Sequence, residues 1–251
     1  ATLAEKVFGT EHTNTVTAYS NIAEAYKSLG DYTRALEVFI DALYISEILL
    51  EKDYAHTVSI YSSIALIYNE QGDYHRALEW LFNVLALRDN ELSIMPINVA
   101  ATYNNIALVY HTQGDHFKAL EWYFKALEIL DEVLGKEHPD TAITYNNIAG
   151  AYDSQGNYLN ALEWYFKALK IFVEVFGKDH PNTATTYNNI AFAYYNHGDY
   201  PNALEWYFKA LIVREKYLGK VHPSTAKTYN NIALVYREQG DFAKALEWFF
   251  K

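Results

Sequence analysis

Apolar residues recur along this chain in pairs of helix-spaced runs, each pair split by a short polar break. In one such pair Tyr103, Ile106, Ala107, Val109 and Tyr110 fall at the three- and four-residue intervals of a single helix face. Gln113-Gly114-Asp115 interrupts the run. Glycine suits the left-handed position that ends a helix, and aspartate suits the cap that starts the next. The spacing predicts a first helix over roughly 97–112 and a second over roughly 116–134. Gly135 ends the second, and Gly9, Gly177 and Gly219 hold the same place in other copies. In the loop that follows, Pro139 suits a first helical turn, where a missing N–H costs little.

The pair repeats without slippage. Gly30, Gly72, Gly114, Gly156, Gly198 and Gly240 are each 42 residues apart, as are Ala35, Ala77, Ala119, Ala161, Ala203 and Ala245. Tyr26, Tyr68, Tyr110, Tyr152, Tyr194 and Tyr236 form a third ladder. Small residues such as Ala107 and Ala119 let two helices of a hairpin approach closely. One hairpin cannot bury its apolar stripe alone, so neighbours must stack. The predicted fold class is all-α, a right-handed α-solenoid of antiparallel helix hairpins, with first helices lining a concave face. The whole of 1–251 reads as a single array. Residues 1–9 form the end of a preceding second helix, and repeats follow at about 12–53, 54–95, 96–137, 138–179, 180–221 and 222–251, the last incomplete. The chain therefore reads as a piece of a longer array, with Trp248, Phe249 and Phe250 beside an unfinished interface. End-to-end self-association through such terminal repeats is one expectation.

Ala107, Tyr110, Gly114, Ala119, Tyr123 and Ala126 match the pattern of the tetratricopeptide repeat, and the chain resembles that family. The 42-residue period, the segment from Leu134 to Thr141 and the run Tyr145-Asn146-Asn147-Ile148-Ala149 are similar to its kinesin light chain type. The resemblance covers nearly the whole chain and implies a protein-binding scaffold. It does not fix the partner, because one fold hosts many functions.

On the first helix, Ala101, Asn104, Asn105, Leu108, His111 and Thr112 share a stripe opposite the apolar one. Across the array that stripe carries Asn21, Asn105, Asn147, Asn189 and Asn231, with Ser63 in the second copy. Beside it run Asn104, Asn146, Asn188 and Asn230, with Ser20 and Ser62 in the first two. Asparagine is a poor helix former, so its repetition needs a cause. A carboxamide donates and accepts, and so complements a peptide unit. The resemblance implies that Asn105, Asn147, Asn189 and Asn231 hold an extended peptide by its backbone. A structural role, bonding a neighbouring helix, is the equal alternative, and two asparagines per repeat allow both. Side-chain selection falls to variable positions in the same stripe: Glu24, Leu66, Leu108, Gly150, Phe192 and Leu234, then Lys27, Asn69, His111, Asp153, Tyr195 and Arg237. Gly150 leaves a gap between Leu108 and Phe192 that a bulky partner side chain could enter.

Net charge and residue content narrow the class. At −11 the chain lacks the basic stripe that phosphate binding requires, so neither nucleic acid nor an anionic membrane is an expected partner. There is no cysteine, which removes disulfides and thiolate chemistry and fits an intracellular, cytoplasmic setting. No run of about 18 apolar residues exists, and the N-terminus lacks the basic leader and apolar block of a signal peptide. His138, His180 and His222 recur every 42 residues, too far apart for one metal ion, and read as helix-start residues. Trp122, Trp164 and Trp206 read as seals between successive second helices, with an outer contact surface as the lesser alternative. Glu121, Glu163 and Glu205 fall on the solvent side by period. No phosphate loop, nucleophile triad or metal signature appears. The expectation is a non-enzymatic scaffold without cofactor or metal, binding a protein or peptide. A spacer that works through its ends, and a regulatory segment of a larger signalling protein, are the alternatives.

Overall fold

The computed structural model describes Glu5, Phe8, Gly9 and residues 12–86 and 96–251, with backbone alone for 50–55. The comparison of residues 1–8 with the end of a second helix falls mostly outside these, as do positions 87–95 of the second repeat. Among the described residues there are twelve helices and no strand. They are α1 (Thr13–Ser28), α2 (Tyr32–Ile48), α3 (Leu50–Glu70), α4 (Tyr74–Ala86), α5 (Pro96–Gln113), α6 (His116–Val133), α7 (Pro139–Ser154), α8 (Tyr158–Phe176), α9 (Pro181–His197), α10 (Tyr200–Leu218), α11 (Pro223–Glu238) and α12 (Phe242–Phe249). The third-copy helices fall within a residue of their expected bounds at either end. The chain divides into two compact units, Ala1–Ile129 and Leu130–Lys251, the division falling within α6.

Each unit is a stack of antiparallel hairpins, the architecture of an α-solenoid. In the second unit α7 packs on α8 and α9 on α10; α8 and α10 then pack on the first helix of the next hairpin. First helices also touch each other, α7 to α9 and α9 to α11. The first unit repeats the scheme with α1 to α5. The hairpin turn follows from its residues. Gly198 takes φ 85°, ψ 6°, the left-handed conformation that a side chain would strain. Asp199 then accepts a hydrogen bond from the Asn202 backbone N–H at 3.2 Å, capping α10. Asp31, Asp73, Asp115 and Asp241 cap their helices in the same way. Asn157 makes no such side-chain bond.

Between hairpins a second joint repeats. The Nδ1 atoms of His138, His180 and His222 accept from the backbone N–H two residues on, at 3.1, 3.2 and 3.1 Å, and so start α7, α9 and α11. Just beyond them Thr141, Thr183 and Thr225, all buried, donate to the carbonyls of Gly135, Gly177 and Gly219 at 2.8–2.9 Å. Thr15 does the same to Gly9. Positions 51 and 55 hold glutamate and alanine where the three later joints have Gly135 and Pro139, Gly177 and Pro181, and Gly219 and Pro223, and there α3 starts directly after Leu49.

The core is made from the periodic residues. In the second unit Ala191, Ala203, Tyr207, Leu211, Tyr229, Ile232 and Val235 form one buried cluster, and Ala149, Ala161, Tyr165, Tyr187 and Ile190 belong to another. Tryptophan seals one second helix to the next: Phe166 meets Trp206 edge-on at 5.5 Å, and Phe208 meets Trp248 likewise. Trp206 also packs on Tyr187 of α9. Lys167 and Lys209 lie over Trp164 and Trp206 at 4.1 and 3.8 Å while pairing with Glu163 and Glu205 at 2.7 Å. Those glutamates are therefore exposed charges tied to the aromatic seal. No helix among the described residues is long and apolar enough to cross a membrane.

Candidate functional site

The first-helix face of the second unit carries most of the residues singled out by sequence. The buried stripe of α7 (Tyr145, Ile148, Ala149) turns Asn146 and Asn147 to its edge, half-buried. On α9 the same pattern sets Asn188 and Asn189, and on α11 Asn230 and Asn231. The two ladders then part company. Asn146 Nδ2 donates to Thr186 Oγ1 on α9 at 3.0 Å, while its Oδ1 is buried without a partner. Asn188 Oδ1 accepts from Arg214 Nη1 at 3.1 Å, and that same nitrogen donates to Thr228 Oγ1 at 2.7 Å and to the Ser224 carbonyl at 3.0 Å. The direct bridge of one copy becomes an arginine-mediated bridge in the next. This inner ladder ties neighbouring first helices together. Asn230 is exposed.

The outer ladder does none of this. Among the described residues the carboxamides of Asn105, Asn147, Asn189 and Asn231 make no hydrogen bond inside the protein, and all four are half-buried. They stand ready at the surface with donor and acceptor both unused. Asn147 and Asn189 line a shallow depression of ≈ 250 Å³ with Ile143, Asn146, Asn182 and Thr185.

One turn on, Gly150, Phe192 and Leu234 occupy matching places. A Cβ built on Gly150 would meet only the Tyr165 hydroxyl, at 3.6 Å, so the expected gap is floored by a phenol oxygen. Phe192 is exposed and stacks on Tyr195, with ring centroids 6.3 Å apart. Leu234 is half-buried. The next turn brings Asp153, Tyr195 and Arg237. Asp153 is only 9% exposed, and Asn196 Nδ2 on α9 donates to its two oxygens at 3.2 and 3.4 Å. Burial pushes its carboxyl above the usual range, and the amide bond opposes that only in part. Arg237 is exposed and pairs with Glu238 at 2.7 Å.

In the first unit Asn21 is exposed on α1, and Ser63 on α3 donates to Glu24 at 3.0 Å. Asn104, Asn105 and Leu108 are half-buried on α5. His111 sits against His116, the residue that opens α6, with ring centroids 5.1 Å apart. Burial lowers its pKa, and His116 adds to the effect. It thus closes its own hairpin turn. Asn69 Oδ1 accepts from Thr112 at 2.8 Å, a bond to a residue 43 positions on, as Asp153 has with Asn196.

Three features lay outside the sequence reading. The threonine ladder of Thr15, Thr141, Thr183 and Thr225 has the 42-residue period that could have exposed it. A second is a tyrosine–acid pair: Tyr19, Tyr61 and Tyr229 each donate to a glutamate fourteen residues earlier, Glu5, Glu47 and Glu215. The glutamate bond first, and burial next, push the Tyr19 hydroxyl up to about 12. The third is Arg214, whose bonds no periodicity announces, since other copies have Phe172 and Leu130 there. No group of three or more histidine or acidic residues among those described could hold a metal ion.

Comparison with known proteins agrees with this architecture. The sequence profile of the tetratricopeptide repeat family matches residues 14–90, 98–171, 154–211 and 184–249. The crystal structure of BtubC (BKLC) from P. vanneervenii is similar, with 26% identity over 85% of this chain and 86% of that one and a TM-score of 0.75. A putative kinesin light chain from Podosopora anserina with nearly identical repeats matches at 24% identity, covering 76% of this chain and 90% of that one, with a TM-score of 0.64. Aspartyl phosphate phosphatase F from Bacillus subtilis shares the fold at 14% identity, over 98% of this chain and 71% of that one, with a TM-score of 0.69. No curated protein sequence matches significantly.

Proposed function

Because the chain belongs to the tetratricopeptide repeat family, whose arrays are in general protein-interaction scaffolds, we propose that its first-helix face binds an extended peptide segment. The observation that carries the reading is the split between the two asparagine ladders. Asn146 through its Nδ2 and Asn188 through its Oδ1 hold α7, α9 and α11 together. Asn147 and Asn189, one residue along, bond nothing in the protein and border the same depression. A polar residue with low helix propensity, repeated at a position where it stabilises nothing, is accounted for by a ligand. Each free carboxamide pairs with one peptide unit of the ligand, C=O to N–H and N–H to C=O. First helices pack at roughly 10 Å and an extended peptide advances about 3.3 Å per residue, so about three ligand residues pass each repeat. Backbone capture of this kind reads no sequence. Selection rests on Gly150, Asp153, Phe192 and Tyr195 beside it.

The test is a double substitution, Asn147→Ala with Asn189→Ala. Peptides selected on the whole chain from a displayed random library should lose about tenfold or more in affinity, as two amide pairings are removed. The melting temperature should hold or rise, since alanine is the better helix former. Unchanged affinity, or a collapse of the fold, would show those amides to be structural.

A further inference from the structure

Asp153 is a carboxylate with no cation. It is nine-tenths buried, and among the described residues its only hydrogen-bond partner is the neutral amide of Asn196 and no lysine or arginine offsets its charge. Arg237, at the matching position two repeats on, is committed to Glu238. Arg214 spends its Nη1 on Asn188, Ser224 and Thr228. An acid left in this condition costs stability, and proteins that bury one ordinarily supply a counter-charge.

Its surroundings are those of a binding site. One turn earlier on the same helix, Gly150 removes the side chain that Leu108 or Phe192 provides elsewhere. The Tyr165 hydroxyl lies at the bottom of that gap, 3.6 Å from where a Cβ would stand, and makes no hydrogen bond among the described residues. Asp153 lies close enough to Tyr165 to act on it electrostatically. On α9 the residues at the matching positions one repeat on, Phe192 and Tyr195, stack on each other and offer apolar and π surface. A buried carboxylate one turn from a missing side chain, with a phenol oxygen beneath that gap, suits a long side chain with a cationic tip. The aliphatic stem would lie along the rings and the head would meet the acid.

We infer that the gap at Gly150 is a specificity pocket for a lysine or arginine side chain of the bound segment, with Asp153 as its counter-ion. The inference rests on the peptide-binding reading above and names the partner's chemistry: an extended segment with a basic residue, suited to a chain of net charge −11.

The experiment selects ligands from a displayed random peptide library on the whole chain, then measures the winners by fluorescence anisotropy on three proteins: the parent, Asp153→Asn and the Asn147→Ala/Asn189→Ala pair. Asp153→Asn removes the charge while its Oδ1 can still accept from Asn196, and at pH 7 it should melt no lower than the parent. The expected result is a winning set that shares one lysine or arginine. These ligands should lose about thirtyfold in affinity on Asp153→Asn, and exchange of that residue for norleucine should cause a similar loss on the parent alone. Gly150→Leu, which fills the slot, should reproduce the loss. Winners without a shared basic residue, or with affinity indifferent to Asp153→Asn, overturn the pocket. If those same winners still need Asn147 and Asn189, the peptide-binding reading survives without it. A library that yields no winner overturns both.

Discussion

At the scale of single residues, the repeat lets one copy serve as the control for another. Tyr19, Tyr61 and Tyr229 donate to glutamates fourteen residues back. Tyr145 has Asp131 at that place, one methylene shorter, and Asp131 Oδ1 is buried with no partner. Burial raises the Asp131 carboxyl, and Lys136 only partly reverses that. Asp131→Glu should restore the missing bond and stabilise the fold by about 1 kcal/mol, read as a higher denaturant midpoint at unchanged slope. No gain would mean that the acid position is indifferent to reach. Asp153 is the opposite case. Its folded carboxyl titrates above its unfolded value, so its favourable contribution is present in acid and lost as pH rises through the folded pKa. Ionising it in place is a cost to folding, which a ligand cation would offset.

At the scale of elements, both joints are made by short side chains that satisfy backbone groups. Helix ends leave N–H and C=O groups without partners, and here an aspartate at the hairpin turn and a histidine–threonine pair between hairpins supply them. His180 acts through Nδ1 on the Asn182 N–H, while its ring stacks on Phe176 at 4.6 Å. His180→Ala should cost about 1 kcal/mol, and His180→Asn, a good cap without the ring, should recover most of it. Equal losses in chemical denaturation for the two would assign the stabilisation to the stacking instead of the cap. The histidine ladder therefore has a structural function, and its period reflects that every first helix must be started.

Across the whole molecule, stability in a stack of hairpins is a sum of local terms and nearest-neighbour terms. Tyr207 is almost fully buried in the cluster shared by α9, α10 and α11. Tyr207→Ala should remove about 3 kcal/mol or more of packing there. Native-state hydrogen exchange should show protection falling in α9–α11, whereas α1 and α2, which draw on a separate core cluster, keep theirs. A uniform loss over the chain would mean that it unfolds as one cooperative body. The same local economy lets Gly150 and Asp153 differ from their counterparts without disturbing other copies.

The sequence by itself determined the hairpins, their 42-residue period, the glycine and aspartate of each turn and the alanine and tyrosine core, because these are matters of helical spacing and local backbone chemistry. It placed Asn69 and Asp153 on the stripe facing away from the core, whereas contacts to Thr112 and Asn196 on the next first helix bury both. It could not say which of two adjacent asparagines is free, since Asn146 and Asn147 differ only in what comes within reach from the next helix. Nor could it show that Asp153 lacks a counter-charge: that depends on Asn196, 43 residues on, and on where Arg214 and Arg237 spend their bonds. Periodicity places a residue on a face, but only the packing of one helix against another decides which of its polar atoms remain for a ligand.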